Sequence, residues 1–181
     1  MKATGIVRRI DDLGRIVIPK EIRRTLHIRE SDPLEIFTDR EGQIILKKYS
    51  PIGEMTTFAK QYAESLAQVS GHVAMIADRD QFIAIAGGYK QLMGKSVSRQ
   101  LEDKVNNREA VLASRGDRNF ISVCDEAGDE YQHEMIAPII CEGDIIGSVV
   151  LLENDSKSKM GEVEQKLVLS AAGFLGRQME Q

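Results

Sequence analysis

The sequence lacks the features that would place the chain in a membrane or outside the cell. No apolar run approaches the roughly 20 residues that span a bilayer, and the amino terminus MKATGIVRRIDD has no apolar core like that of a secretion signal. Cys124 and Cys141 are the only cysteines, and they lie in separate segments without metal-ligand spacing. We therefore expect a cytoplasmic protein with two unpaired thiols, no metal, no cofactor and no membrane partner.

Tryptophan is absent and aromatic residues make up only 5% of the 181 residues, whereas hydrophobic residues reach 42% and charged residues 29%. This composition is typical of a globular protein. The formal net charge is −4, but the charges are unevenly placed: residues 1–53 hold eleven Lys and Arg against eight Asp and Glu, and the remaining residues hold thirteen against twenty. Such asymmetry indicates a nucleic-acid-binding segment joined to a second, acidic domain.

Residues 1–52 predict a small, β-rich domain. TGIVRRI and RIVI predict two strands joined by a turn at DDLG, and Pro19 pre-sets the backbone for a helix, KEIRRTLHI. LEIFT and IILKKY predict a hairpin whose turn uses Gly42. Because Ile16, Val17 and Ile18 put apolar side chains on both faces of one strand, and a domain of this size is near the lower limit for a self-sufficient core, we expect two copies to interleave as a homodimer.

Residues 53–181 predict a second domain, since Pro51 and Gly53 interrupt both the strand periodicity and the helix periodicity of the apolar residues. An amphipathic helix that ends at Gly71 opens it, and the helix GEVEQKLVLSAAGFLGRQMEQ closes it. Between them, HVAMIADRD and FIAIAGG predict buried strands, and SRQLEDKVNNREAVLAS predicts a helix. The segment 119–155 predicts further strands, with a hairpin turn at CEGDIIG.

The apolar stripes of the two terminal helices have a half-coiled-coil spacing, which predicts that they pack on each other or on a partner's pair. The predicted oligomerisation surface comprises Met55, Phe58, Tyr62, Leu66, Val163, Leu167 and Phe174. Packing of these residues on their own sheet is the alternative. If the helices pair across subunits while the first domain also dimerises, a dimer of dimers results.

Six cations in the first domain form the densest basic cluster of the chain: Arg8, Arg9, Arg15, Lys20, Arg23 and Arg24. Five of the six are arginines, whose planar fork suits bidentate contact with a phosphate or a guanine edge. Dimerisation would double them and give a strongly salt-dependent affinity for double-stranded DNA. A solvated charged face is the alternative. Asp11 and Asp12, which lie beside the arginines, are expected to tune specificity by repelling phosphate at a wrong register.

The first domain resembles the AbrB-type transition-state regulators over about residues 3–50. The segments that carry the resemblance are TGIVRRIDDLGRIVIPKEIRRTLHI, DPLEIF and IILKKY. The resemblance implies a swapped-hairpin dimer that binds DNA. It also implies that Arg8, Arg15, Arg23 and Arg24 face the DNA, whereas Arg9 and Lys20 are included from charge and position alone.

The whole chain resembles those sporulation regulators in which such a domain precedes a GAF-like sensor domain. The segments that carry this wider resemblance are KKYSPI, GEVEQK and AAGFLGRQMEQ. The implied fold class is α+β, and the implied role is activation and repression of late sporulation genes in the forespore. GAF domains commonly hold a small ligand beside the sheet, so a pocket for a small-molecule signal is expected to be lined by Ile76, Ile85, Tyr89, Phe120 and Ile136. An ordinary core explains the same apolar residues.

Enzyme chemistry has little support in the sequence. His27, His72 and His133 are isolated from one another, and His133 beside Glu134 lacks the H-E-x-x-H spacing of a zinc protease. We therefore expect no catalytic residues. Two other classes remain as alternatives: an antitoxin-type protein-interaction module built on a swapped hairpin, and a metabolite-binding protein whose arginines are incidental.

Overall fold

A computed structural model describes residues 4–125 and 131–180. The chain divides between Tyr49 and Ser50 into two compact units. We predicted the boundary three residues later, after residue 52, and its position within this short segment stays a prediction. No helix in the described ranges is both long enough and apolar enough to cross a bilayer.

The first unit contains a short helix and a two-stranded hairpin. Its elements are α1 (Lys20–Thr25), β1 (Leu34–Thr38) and β2 (Ile44–Lys48). The strands are antiparallel, with Leu34 opposite Lys48 and Thr38 opposite Ile44. Oδ1 of Asp39 accepts hydrogen bonds from the amides of Glu41 (3.0 Å) and Gln43 (2.9 Å), which closes the turn. The predicted hairpin LEIFT to IILKKY is confirmed.

The prediction of two strands before Pro19 is wrong for a single chain. Residues 4–18 contain a turn at 12–14 but no strand. A strand requires hydrogen-bonding partners along its length, and within the described residues of one chain this segment finds none beyond the turn. The helix also ends at Thr25, earlier than predicted, because Leu26 leaves the helical conformation and His27 takes a positive φ of 51°.

The second unit is a five-stranded antiparallel sheet with helices on both faces. Its elements are α2 (Pro51–Glu54), α3 (Thr56–Ser70), β3 (Val73–Asp78), β4 (Phe82–Ala86), a 3₁₀ turn (Lys90–Leu92), α4 (Arg99–Asn106), β5 (Val111–Ser114), β6 (His133–Cys141), β7 (Asp144–Glu153) and α5 (Glu162–Gln178). The strand order is β4-β3-β7-β6-β5. The connection from β4 to β5 therefore runs from one edge of the sheet to the other and carries α4.

Two apolar cores lie on opposite faces of this sheet because successive side chains of a strand point to opposite sides. Ile76 and Met135 belong to the core that α3 and α5 cover. Met75 and Ile136 belong to the core beneath α4 and the long connection, the name used here for the described residues that join β5 to β6. The sheet is thus buried on both sides, as the continuous apolar runs of β3 and β4 predict.

Most of the predicted elements of this unit are confirmed. Helix α3 ends at Gly71, which has the left-handed φ of 75° that favours glycine, and Glu142 (φ 49°) and Gly143 (φ 90°) form the predicted β6–β7 hairpin turn. Pro51 does not interrupt the secondary structure but is the first residue of α2, and Ser50 is the N-cap of that helix.

The long helix predicted from SRQLEDKVNNREAVLAS is wrong in its second half. Helix α4 ends at Asn106, and Val111–Ser114 forms β5, in which Val111 and Ala113 are buried while Leu112 is exposed. This alternation and the pairing of Val111 with Ile136 suit an edge strand, so the sheet overrides the local helical propensity.

Candidate nucleic-acid interface

Three of the six predicted DNA-binding residues precede helix α1. Arg8 and Arg9 lie in the segment without regular secondary structure that starts the described chain, and both are exposed. Arg15 follows a tight turn in which the Gly14 amide donates to the Asp11 carbonyl (3.0 Å) and the Asp11 amide donates to the Arg15 carbonyl (3.1 Å). Gly14 has a φ of 77°, so the turn depends on a residue without a Cβ.

The other three cations lie on helix α1. Pro19, which is buried, precedes the helix with φ −58°, and its carbonyl accepts a hydrogen bond from the Arg23 amide (3.0 Å). Lys20 and Arg24 are exposed and Arg23 is half-buried. Arg23 and Arg24 occupy the last turn, where cations are favoured by the partial negative charge of the free carbonyls. Helix α1 therefore places Arg23 and Arg24 at its carboxy-terminal end.

Five of these six cations have no acidic partner among the described residues: Arg8, Arg9, Lys20, Arg23 and Arg24. Another basic residue of the same unit behaves differently. Nζ of Lys48 donates to the His27 carbonyl (2.8 Å) and lies 3.5 Å from Oδ2 of Asp32. The unit thus neutralises Lys48 internally but leaves five cations of the predicted cluster without an acidic partner among the described residues, which favours a polyanionic ligand over an ordinary solvated face.

Arg15 is the exception in the cluster, because a single carboxylate holds it at two points. Oδ1 of Asp11 accepts from the Arg15 amide (2.7 Å), and Oδ2 accepts from Nε of Arg15 (2.8 Å). The amide and then the guanidinium of Arg15 lower the pKa of Asp11, so the carboxylate stays ionised at neutral pH. The sequence analysis assigned Asp11 a repulsive role and missed this pairing, which an aspartate at the start of a turn would have suggested, because Asp side chains accept from the backbone two residues on.

Large apolar side chains are exposed in the same segment. They include Val7 (85%), Ile10 (63%), Leu13 (69%) and Val17 (72%), and Ile36 of the hairpin is 67% exposed. A single apolar side chain at the surface is ordinary, but this density in a small unit indicates a surface that another chain covers.

The five residues of the expected ligand pocket do not lie together. Ile76 packs beneath α3 and α5, whereas Ile85, Tyr89, Phe120 and Ile136 belong to the opposite core. Ile76 therefore cannot line a pocket with the other four, because the sheet separates them. The Tyr89 hydroxyl donates to Oδ1 of Asn154 (2.7 Å).

Sequence reasoning missed two polar side chains near these residues. Tyr131 packs its ring 5.2 Å from that of Phe120, and its hydroxyl donates to the Ile121 carbonyl (2.7 Å). Glu134 is fully buried, and its Oε1 accepts from the Ile121 amide (2.8 Å). Period-2 alternation along β6 places Glu134 on the same face as Ile136, which is the signal that would have found it.

The predicted oligomerisation residues separate into buried and exposed groups. Leu66 is only 6% exposed and belongs to the core, so the alternative of packing on its own sheet holds for this residue. Val163 is 66% exposed and Phe174 36% exposed. The ring of Phe174 stacks on Tyr62 (5.5 Å between centroids) and lies 6.0 Å from Phe58, which joins α3 to α5. Met55 and Leu167 are half-buried.

No group of three or more His, Cys, Asp or Glu side chains within residues 4–125 and 131–180 has the arrangement of a metal site. His72 instead bridges two carboxylates: its Nδ1 lies 2.6 Å from Oε2 of Glu153, and its Nε2 lies 3.7 Å from Oε1 of Glu164. These three side chains connect the start of β3 and the end of β7 to the first turn of α5, so their role is structural.

Two protein-family models match the chain. Residues 7–54 match the family described as "Antidote-toxin recognition MazE, bacterial antitoxin". Residues 54–180 match "Stage V sporulation protein T C-terminal, transcription factor". Together the matches follow the two units of the structure.

Two curated relatives from Bacillus subtilis (strain 168) support these matches. Stage V sporulation protein T is 54% identical over 182 residues and is aligned over the full length of both chains. Transition state regulatory protein AbrB is 44% identical over 108 residues, which cover 60% of this chain and 93% of the relative. Among solved structures, the GAF domain from Acinetobacter phosphoenolpyruvate-protein phosphotransferase covers 69% of this chain and 81% of its own, with 13% identity and a TM-score of 0.58.

An AbrB-type unit with a cluster of arginines, followed by a GAF-like sheet and helices, defines a DNA-binding transcription regulator. The fold class predicted from the sequence is confirmed. The chain belongs to the stage V sporulation protein T family.

Proposed function

We propose that this regulator controls genes late in sporulation, in the cytoplasm of the forespore, and that it activates some promoters and represses others. The support is the name and the full-length 54% identity of the B. subtilis relative. A transcription regulator acts by binding, and the relative's role therefore supports a non-catalytic function for both units.

Double-stranded DNA lies against the basic cluster of the first unit in this proposal. Arg8, Arg9, Lys20, Arg23 and Arg24 contact phosphates, and Arg15 contacts a base edge, because phosphate contacts position a protein whereas base contacts specify sequence. The observation that carries the proposal is that five of the six cations have no acidic partner among the described residues, although the same unit neutralises Lys48. Counterion release by such cations gives affinity that falls steeply with salt.

Assembly follows from two separate apolar surfaces. Two copies of residues 1–52 interleave and cover Val7, Ile10, Leu13 and Val17, which one chain leaves exposed. The outer faces of α3 and α5 form a second two-fold interface around Phe174. Two different two-fold interfaces close as a dimer of dimers, so the proposed state is a homotetramer.

The second unit senses a small-molecule signal in this proposal. Ile85, Tyr89, Phe120 and Ile136 lie on the face of the sheet that α4 and the long connection cover, which is where a ligand would change the position of α4. Phe120 is half-buried, so its ring is accessible from outside the core. Residues 126–130, in the connection from β5 to β6, lie outside the described residues.

The test is DNA binding by fluorescence anisotropy over a salt series. The DNA is the tightest-binding duplex that the wild-type protein selects from a randomised pool. Arg23→Ala/Arg24→Ala is expected to lose affinity and to reduce the salt slope by about one to two per subunit, at an unchanged oligomeric state. Equal binding by wild type and variant would overturn the proposal.

A matched control removes two exposed arginines of the second unit. Arg99 and Arg118 are exposed and have no acidic partner among the described residues. Arg99→Ala/Arg118→Ala changes the net charge by the same amount as the test variant. It is expected to keep both the affinity and the slope, which separates a defined interface from general charge attraction.

A second candidate function is favoured by the antitoxin description of the family that matches residues 7–54. An antitoxin covers its toxin with a carboxy-terminal segment that commonly folds on binding. Residues 50–180 instead have their own two cores, which argues against that role. Co-purification of a small protein partner together with salt-insensitive DNA binding would favour the antitoxin role. A metabolite-binding role would instead give affinity for a small molecule and no DNA binding.

A further inference from the structure

Asp11 and Arg15 form a closed unit of backbone and side-chain hydrogen bonds. Oδ1 of Asp11 accepts from the amides of Leu13 (3.0 Å) and Arg15 (2.7 Å). Oδ2 of the same carboxylate accepts from Nε of Arg15 (2.8 Å). Because the turn fixes the carboxylate and the carboxylate fixes Nε, the direction of the guanidinium is determined by the backbone of the turn.

The pair contributes little to folding, which makes another role more consistent with its geometry. The side chains of Arg15 and Asp11 are 69% and 38% exposed. Exposed ion pairs contribute little to stability, because solvent screens them and two side chains must be ordered. What the pair does achieve is to order a long side chain before any ligand binds, which reduces the entropy cost of binding.

The contact with Asp11 uses only one edge of the guanidinium. Arginine has five N–H donors in a rigid fork, and Asp11 takes the donor at Nε. No acceptor within residues 4–125 and 131–180 takes the terminal nitrogens Nη1 and Nη2. These two nitrogens form the end of the fork, and this end matches two acceptors side by side, such as O6 and N7 of guanine in the major groove.

We propose that Asp11 is a positioning residue that aims the terminal nitrogens of Arg15 at a guanine edge, so that this pair supplies sequence specificity. The inference rests on the proposed function, in which Arg15 faces DNA. Within the part of the chain that the structure describes, the remaining five cations are not held by acidic partners, and they suit phosphates, which tolerate many directions of approach. Arg15 is the cation of the cluster whose direction the protein sets in advance.

The alternative role of Asp11, repulsion of phosphate, predicts the opposite sign for a neutralising substitution. Removal of a negative charge beside a polyanion strengthens binding to every DNA sequence. Loss of a positioning carboxylate weakens binding to the preferred sequence while it leaves binding to other sequences unchanged or stronger. The ratio of the two affinities therefore separates the two roles.

The test is Asp11→Asn, with Asp12→Asn as the matched control. Asparagine keeps an oxygen that accepts from the amides of Leu13 and Arg15, so the turn is retained, but it removes the charge that holds Nε. Asp12 is adjacent and exposed, and no side-chain hydrogen bond or ion pair of Asp12 occurs among the described residues. The probes are the selected duplex and a shuffled duplex of the same composition, each measured by anisotropy at fixed salt.

The expected result is a loss of about tenfold in the ratio of specific to non-specific affinity for Asp11→Asn, since one bidentate base contact gives about that discrimination. Asp12→Asn is expected to bind both duplexes as tightly as wild type or more tightly. In an Arg15→Ala background, Asp11→Asn is expected to cause no further loss of the ratio.

Three results would overturn the proposal. If Asp11→Asn tightens binding to both duplexes as Asp12→Asn does, Asp11 only repels phosphate. If Asp11→Asn lowers the ratio equally in the Arg15→Ala background, it acts through the turn and not through Arg15. If Arg15→Ala itself leaves the ratio unchanged, Arg15 does not read a base; the proposed DNA interface is then still judged separately by the Arg23→Ala/Arg24→Ala variant.

A second measurement keeps the proposal testable if Asp11→Asn loses its oligomeric state. In the wild-type protein, the Nε–Hε proton of Arg15 is expected to exchange slowly with water, because Oδ2 of Asp11 accepts it. It should remain protected when the selected duplex binds. Fast exchange of this proton in either state would contradict the inference.

Discussion

The hydroxyl of Ser50 donates a hydrogen bond of 3.1 Å to Oδ2 of Asp78, across 28 positions of sequence. The same hydroxyl oxygen accepts from the Gly53 amide (3.1 Å) and so caps helix α2. Oδ1 of Asp78 accepts from the amides of Asp80 and Gln81, both at 2.8 Å. Ser50 is therefore fixed to the end of β3 through the carboxylate of Asp78, a residue that is only 8% exposed.

Loss of this cap should weaken the second unit. Ser50→Ala removes both the N-cap acceptor and the donor to Asp78, and a lost N-cap costs about 0.5–2 kcal/mol of stability. We expect the free energy of unfolding, measured by urea titration, to fall by this amount. Ser50→Asn is the control, because asparagine caps helices and can still donate to Asp78; an equal loss in both variants would contradict the prediction.

Two glycines of α5 are expected to respond to alanine in opposite directions. A Cβ on Gly176 would collide with the carbonyl oxygen of Ile140, whereas a Cβ on Gly173 meets nothing within 4 Å. Gly176→Ala should therefore destabilise the protein by about 1–3 kcal/mol through overpacking. Gly173→Ala should stabilise it by about 0.5–1 kcal/mol, because alanine loses less entropy in a helix.

Urea unfolding measures both alanine variants under the same conditions. Light scattering should accompany it, because Gly173 lies next to Phe174 on the predicted oligomerisation surface. A stabilising effect of Gly176→Ala would show that α5 does not approach β6 as closely as the structure indicates.

Local signals predicted the secondary structure well wherever one chain supplies all the partners of an element. Helix α3, helix α5 and the β6–β7 hairpin were predicted because a periodic stripe or a turn residue marks each of them. The segment 4–18 failed because its apolar pattern indicates a strand, and a strand forms only where partners exist. The exposed apolar residues of this segment indicate that its strand partner lies on another chain.

The face of the sheet on which a residue lies was harder to predict than the element that contains it. Ile76 was grouped with Ile136 because both are apolar and lie in strands, yet the two belong to opposite cores. The relative phase of two strands depends on their register, which the sequence of neither strand specifies alone. The pairing of Asp11 with Arg15 was missed for a different reason: both charges were assigned to the DNA and neither to the other.

The bridge from His72 to two carboxylates predicts acid-sensitive stability. Burial raises the pKa of Glu153, but the Asp155 amide and the imidazole of His72 outweigh it and lower the pKa below its usual 4.5. The Gly161 amide lowers the pKa of Glu164 below the same value, with a further contribution from His72. A carboxyl with a lowered folded pKa stabilises the fold fully above pH 4.5, and this stability is lost as the pH falls through the folded value.

His72→Asn should lower the free energy of unfolding at pH 6 by about 1–2 kcal/mol, because charge-assisted hydrogen bonds are lost. The variant should also lose less stability than wild type between pH 5 and about pH 3. Without His72, the folded pKa values of Glu153 and Glu164 are lowered less, so protonation of the two carboxyls costs less stability. His27→Asn is the control, because His27 is exposed and has a positive φ that asparagine tolerates. Parallel pH profiles for wild type and His72→Asn would contradict the assignment.

The aromatic cluster of α3 and α5 provides the test of the second interface. Phe174 stacks on Tyr62 at 18° between ring planes while 36% of its surface remains exposed, so its outer face is available to a partner. Phe174→Asp would bury an unpaired charge in a subunit contact, which costs several kcal/mol, and should reduce a tetramer to a dimer in light scattering. Met93→Asp, at an apolar side chain 45% exposed outside this surface, should leave the mass unchanged. A Phe174→Asp protein with the wild-type mass and a native circular dichroism spectrum would contradict the assignment of Phe174 to a subunit interface.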